Sequence, residues 1–100
     1  MCEVLEQRRQ RLEQQYGIDG YATIDEAASH NWDLVVVATP AHLHIDHAMQ
    51  FRNCTNAWLI EKPLSTGSER IAELRAVAAG KVLNVAYVYR VHPAVQGLKP

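Results

Sequence analysis

The sequence predicts an α/β protein built on a mostly parallel sheet. Residues 34–38, 57–60 and 82–91 are runs rich in apolar and β-branched residues, the pattern of strands buried in a sheet. The segments between them carry helix start and stop residues at helical spacing, and strands alternating with helices of ordinary length build βαβ units. The strand runs also end in polar or proline-containing clusters, Thr39-Pro40, Glu61-Lys62-Pro63 and Arg90-Val91-His92-Pro93. If the strands are parallel, these clusters share one edge of the sheet, which is where open α/β sheets bind ligands.

The elements follow in chain order. Residues 5–16 set Leu5, Leu12 and Tyr16 on one helical face among charged and amide side chains, and Gly17 supplies the stop. Thr23-Ile24-Asp25-Glu26 has the form of a capping box opening a short helix to about Ser29. The run Leu34-Val35-Val36-Val37-Ala38 reads as a strand buried on both faces. Thr39 can cap the next helix, with Pro40 in its first turn, and that helix runs to about Arg52. Ala57-Trp58-Leu59-Ile60 is a short buried strand stopped by Pro63, since proline cannot donate to a ladder. Thr66-Gly67-Ser68-Glu69 has the form of a second capping box, followed by the stripe Ile71, Leu74, Val77 and Ala78 and by Gly80. Val82 to Val91 completes the pattern as a long strand.

Composition narrows the function classes. One hundred residues with 48% hydrophobic and 21% charged side chains describe one ordinary globular domain. A net charge of -1 asks for neither nucleic acid nor an anionic membrane. No apolar run approaches the length of a membrane span. Cys2 and Cys54 make no disulfide framework, which points to a reducing, cytoplasmic setting.

Lys62 is the most informative side chain. Lysine is almost never buried unpaired, so a lysine closing a buried strand invites a chemical role, and its proton affinity responds readily to partial burial. A solvated strand-end lysine beside Glu61 is the competing reading. His42, His44 and His47 form an H-x-H-x-x-H cluster, but no cysteine or carboxylate stands at a supporting spacing for a closed zinc site, so no metal site is assigned. Arg90 and His92 could meet a carboxylate or hydroxyl substrate, or simply end a strand in solvent. The five glycines, at 17, 20, 67, 80 and 97, form no G-x-G-x-x-G turn.

Three segments together resemble the Gfo/Idh/MocA family of NAD(P)-dependent oxidoreductases. Residues 33–40 with His44 resemble its D-x-V-x-x-A-T-P-x-x-x-H segment, residues 58–64 its E-K-P signature, and residues 85–95 its V-x-Y-x-x-R-x-x-P lead into a second domain. The resemblance implies a partial Rossmann-like, doubly wound, mostly parallel sheet over residues 1–100, lacking the first βα unit and the C-terminal α/β domain, with the crossover to that domain beginning near residues 92–100. It implies NAD or NADP as cofactor and a sugar-like or cyclitol substrate. Lys62 matches the catalytic lysine. Glu3, Thr39, Pro40, His44, Glu61, Lys62 and Arg90 match cofactor-side positions. It also implies a cis peptide between Lys62 and Pro63. In the 3-2-1-4-5-6 strand order the unit that finds no match contains the central strand, so either an altered pairing or a dimer is expected to fill the gap, and a homo-oligomer is expected. A non-catalytic folding or assembly module, inactive alone, is the alternative.

Overall fold

The computed structural model describes residues 1–98; the C-terminal part of the 92–100 crossover expectation, residues 99 and 100, lies outside them. The order of elements is α1 (Glu6–Tyr16), α2 (Ile24–Ala28), β1 (Val35–Val37), a 3-10 turn (Ala41–Leu43), α3 (His44–Gln50), β2 (Ala57–Ile60), α4 (Ile71–Val77), β3 (Val82–Val85), a second 3-10 turn (Val88–Val91) and α5 (Pro93–Gln96). The strands form one parallel sheet in the order β1-β2-β3. Two single parallel bridges, Cys2 with Tyr21 and Trp32 with Thr55, extend the strand-like pairing outside it.

Register explains the core. Val35, Trp58 and Leu83 stand in line across the sheet, as do Val37, Ile60 and Val85, so alternate residues put these six on one face. Val35, Val37, Trp58 and Ile60 are buried there with Ala27, Ile45, Ala48, Met49, Phe51 and Leu74, contributed by α2, α3 and α4 and the turn after α3. Trp58 is 1% exposed, and its indole N–H donates to the Ala48 carbonyl at 3.1 Å, which fixes β2 to α3. The Lys81 ammonium lies 5.2 Å from the Trp58 ring.

The opposite face runs Val36, Leu59 and Asn84. Val36 is 57% exposed, and Leu34 and Val82 are exposed beside it. The expected two-sided burial of residues 34–38 is therefore corrected: α2, α3 and α4 serve one face, and none of the described elements covers the other. Nor does a rearranged pairing close the gap beside β1, whose outer edge has no ladder partner among the described residues.

Local chemistry accounts for the other departures. Gly17 ends α1 in the left-handed conformation, as expected, but α1 buries no residue, because it packs against no other element. The Thr23 capping box forms: its hydroxyl accepts from the Glu26 N–H at 3.2 Å, and the Glu26 carboxylate accepts from the Thr23 N–H. Thr39 caps nothing. Pro40 is extended, so helical structure starts at Ala41 and α3 ends at Gln50, short of Arg52. The second capping box is absent. Arg70, at φ 59°, precedes α4 and ties it to α3 through hydrogen bonds to Asp46 and Glu73. The long strand 82–91 stops at Val85. β2 turns away at Pro63, so beyond Ala86, whose N–H reaches the Ile60 carbonyl, no neighbouring backbone remains to pair with, and residues 88–91 coil.

Candidate functional site

Parallel pairing brings the ends of β1, β2 and β3 to one edge, but only two of the three expected clusters, Thr39-Pro40 and Glu61-Lys62-Pro63, follow them there, because β3 stops at Val85. Glu61 continues the ladder for one residue, its N–H donating to the Val37 carbonyl at 2.9 Å. The chain then turns through a cis Lys62–Pro63 bond, the geometry that the family resemblance implies. Glu61 accepts a 3.1 Å hydrogen bond from the Lys62 N–H, which holds this turn locally. The Lys62 side chain is exposed and makes no hydrogen bond or ion pair among the described residues.

A cleft of about 710 Å³ opens beside β1. Met1 to Val4 and Arg8 form one wall, Leu34 to Pro40 the other, with His47 and Phe51 at its margin. It thus unites three of the sequence-predicted positions, Glu3, Thr39 and Pro40. Glu3 is held in place. Its N–H donates to the Tyr21 carbonyl at 3.1 Å, its carboxylate accepts from the Leu5 N–H at 3.0 Å, and Arg8 lies 3.5 Å away. At the other end the Thr39 hydroxyl meets His47 Nδ1 at 2.9 Å. Partial burial pushes the His47 imidazole below its ordinary proton affinity, with Asp46 opposing that shift and the neighbouring His44 and His42 adding to it.

His44 is 1% exposed. Its Nδ1 lies 2.8 Å from the Pro63 carbonyl and its Nε2 lies 2.7 Å from the Thr39 carbonyl. The ring thus joins the loop after β1 to the loop after β2 and turns no free nitrogen toward the cleft. Arg90 is not at a strand end. It is an exposed residue of the second 3-10 turn, its carbonyl accepting from the Gln96 side chain. His92 accepts from the Ala94 N–H at 3.2 Å and caps α5 instead of facing the sheet edge. No group of three histidine, cysteine or carboxylate side chains with metal-binding geometry occurs among the described residues.

Sequence reasoning weighed His47 only as a metal ligand and missed its contact with Thr39. The signal was available: His44 and His47 are three apart, so they share a helix side just downstream of Thr39, and both reach back to that residue.

The cleft is lined mainly by apolar side chains, with a carboxylate at the Glu3 end and a hydroxyl at the Thr39 end. None of the five glycines lines the cleft, so a glycine turn for a pyrophosphate is not among the groups that face it.

Comparison with known proteins agrees with this geometry. UDP-N-acetylglucosamine 3-dehydrogenase GnnA from Acidithiobacillus ferrooxidans is 25% identical over 97% of this chain, with a TM-score of 0.82. The WlbA dehydrogenase from Chromobacterium violaceum, solved in complex with NADH and UDP-GlcNAcA, is 24% identical over 98%, with a TM-score of 0.87. The apo scyllo-inositol dehydrogenase from Lactobacillus casei is 18% identical over 89%, with a TM-score of 0.79. The chain spans 32%, 29% and 28% of those proteins respectively. A search of curated proteins found no match. A sequence model described as an oxidoreductase family with an NAD-binding Rossmann fold matches residues 1–89. With nearly the whole sequence inside that match and a parallel α/β sheet to go with it, this chain belongs to the Gfo/Idh/MocA oxidoreductase family.

Proposed function

We propose that this chain carries the nicotinamide-side half of an NAD(P)-dependent oxidoreductase site acting on a hydroxyl or carbonyl group of a sugar or cyclitol. The observation that carries this reading is the convergence of Thr39-Pro40 and Glu61-Lys62-Pro63 at the ends of adjacent parallel strands, beside a cleft that runs to Glu3. A carboxylate at that position of a Rossmann sheet suits a ribose hydroxyl. A bound nicotinamide supplies the hydride acceptor or donor.

The chain's own residues do the rest. Glu3 accepts from a ribose hydroxyl at the far end of the cleft. Thr39, oriented by His47, and the ring of Pro40 form its near wall. In the oxidising direction the Lys62 amine takes the substrate O–H proton onto Nζ as the carbinol C–H bond gives up its hydride, so the alcohol becomes a carbonyl; in the reverse direction the ammonium returns that proton. Lys62 is exposed, so its amine is open to a substrate at the strand end.

Isothermal calorimetry with NAD(H) and NADP(H) tests the reading and decides which is used. Saturable micromolar binding supports it, and absence of heat at millimolar cofactor overturns it for this chain. A second reading, a non-catalytic assembly module, is favoured by the open edge of β1 and the uncovered face around Val36. The open edge of β1 supports a homo-oligomer and the free Cys2 and Cys54 support a reducing, cytoplasmic setting; no described helix is long and apolar enough to cross a membrane.

A further inference from the structure

His44 is the only buried titratable side chain among the described residues. Both of its ring nitrogens end on backbone carbonyl oxygens, Pro63 at 2.8 Å and Thr39 at 2.7 Å. A carbonyl only accepts, so a nitrogen facing one makes a hydrogen bond only when it carries a proton. A neutral imidazole has one N–H and can tie one of the two carbonyls; the other nitrogen then sets its lone pair against carbonyl lone pairs. An imidazolium has two N–H groups and ties both. The number of bonded loops therefore follows the number of ring protons.

The two carbonyls belong to the two loops of the site. Thr39 follows β1 and precedes Pro40, while Pro63 follows Glu61 and Lys62 at the end of β2. No other side chain hydrogen-bonds to both of these loops among the described residues. The charged and titratable groups on the adjoining elements are His42, Asp46 and His47 around α3, Glu61 and Lys62 after β2, and Arg70 before α4. The Asp46 carboxylate is engaged by Arg70, and His47 is turned to the Thr39 hydroxyl, so the direct partners of the buried ring are the two carbonyls alone.

We propose that His44 is a positioning residue, a proton-dependent clamp that sets the separation of the Thr39–Pro40 loop from the Glu61–Pro63 loop. What those loops hold rests on the functional reading above; the clamp itself is a property of the chain. With two protons on the ring, Lys62 is held in fixed register to Thr39. With one, either loop is free to move outward.

The test is a pH titration of the 15N,13C-labelled chain by NMR, following the His44 ring nitrogens and the carbonyl carbons of Thr39 and Pro63. The expected result is that one of the two carbonyl signals moves with the same midpoint as the His44 ring, while the other stays bonded throughout, and that the Lys62 amide follows. A His44 ring that stays neutral wherever the protein is folded overturns the proposal, as do carbonyl shifts that track His42 or His47 instead. His44→Gln carries an amide that does not titrate, so the pH-dependent carbonyl shift is expected to vanish, whereas His47→Gln is expected to retain it. If His44→Gln does not fold, the titration of the unaltered chain decides alone. Adding NADH to the same samples separates the two claims: a working clamp without NADH binding sinks only the functional reading, and NADH binding without the coupled shift sinks only the clamp.

Discussion

Replacing Trp58 by Phe is expected to destabilise the chain by about 2 kcal/mol. Trp58 is 1% exposed in the middle of β2, three residues before the Glu61-Lys62-Pro63 turn. Its indole N–H donates to the Ala48 carbonyl at 3.1 Å, a bond between the central strand and α3 that phenylalanine cannot make. Losing a buried neutral hydrogen bond costs about 1 kcal/mol. The smaller ring leaves roughly 40 Å³ unfilled, which at about 24 cal/mol per Å³ adds about 1 kcal/mol. The Lys81 ammonium, 5.2 Å from the ring, keeps an aromatic face and changes the sum by no more than about 0.5 kcal/mol. Urea denaturation followed by far-ultraviolet circular dichroism reads the difference independently of the lost fluorophore. The midpoint should fall with an unchanged slope. A loss below about 0.5 kcal/mol, the range of an ordinary surface substitution, would refute the claim that this side chain joins β2 to α3.

Other substitutions test other parts of the structure. Thr23→Ala removes the hydroxyl that accepts from Glu26 and should cost about 1 kcal/mol by the same denaturation assay. Lys62→Met should change stability by less than about 0.5 kcal/mol, since the side chain is exposed without a partner, yet should abolish hydride transfer, read by nicotinamide absorbance, in any preparation active with lysine. Burial lowers the folded-state proton affinity of His47 below its unfolded value near 6.5; the unfolded chain therefore binds the extra proton first, and the stability this residue contributes is complete above pH 6.5 and lost as pH falls through the lower folded value. A stability profile against pH should be flatter there for His47→Gln. Val36→Lys puts a charge on the uncovered sheet face, 57% exposed, and should convert a self-associating chain to a monomer in light scattering; an unaltered chain that is already a stable monomer would remove the case for a homo-oligomer.

The sheet was legible in the sequence because its signal is local. The stretch Val35-Val36-Val37 and the run Ala57 to Ile60 declare strands by residue type, and Pro63 ends the second by removing a donor. The Thr23 box was legible for the same reason, since its two bonds join residues three apart. What depended on a neighbour was not. Thr66 to Glu69 has the same capping chemistry as Thr23 to Glu26, but Arg70 is drawn into a left-handed turn by carboxylates on α3 and α4. Val88 to Val91 has strand residues, but β2 has already turned away and offers them no ladder. Burial of Val36 likewise depends on whether an element lies over that face, which no property of the valine reveals.

The candidate site divides along the same line. Lys62 and Thr39 were readable because a strand end plus parallel topology puts them on one edge without any long-range detail. His44 was readable as a position but not as a contact. From its spacing it is a polar residue in a first helical turn, and such residues usually face solvent or ligand. It is buried because Pro63, nineteen residues on, brings a second carbonyl to a ring that Thr39 already occupies. The cleft between Glu3 and Thr39 follows from a third kind of information, the unpaired edge of β1. An open parallel edge is costly to leave bare: Val35 and Val37 face their backbone groups to β2, but the N–H and C=O of Val36 stay available to any strand that reaches them. The same opening that gives Glu3 and Thr39 a common cleft is therefore the part of this chain most apt to bind another strand. On the proposed function, cofactor and strand would compete for it, so self-association measured in the presence of NADH should weaken if the cleft is the cofactor's and persist if it is a strand's.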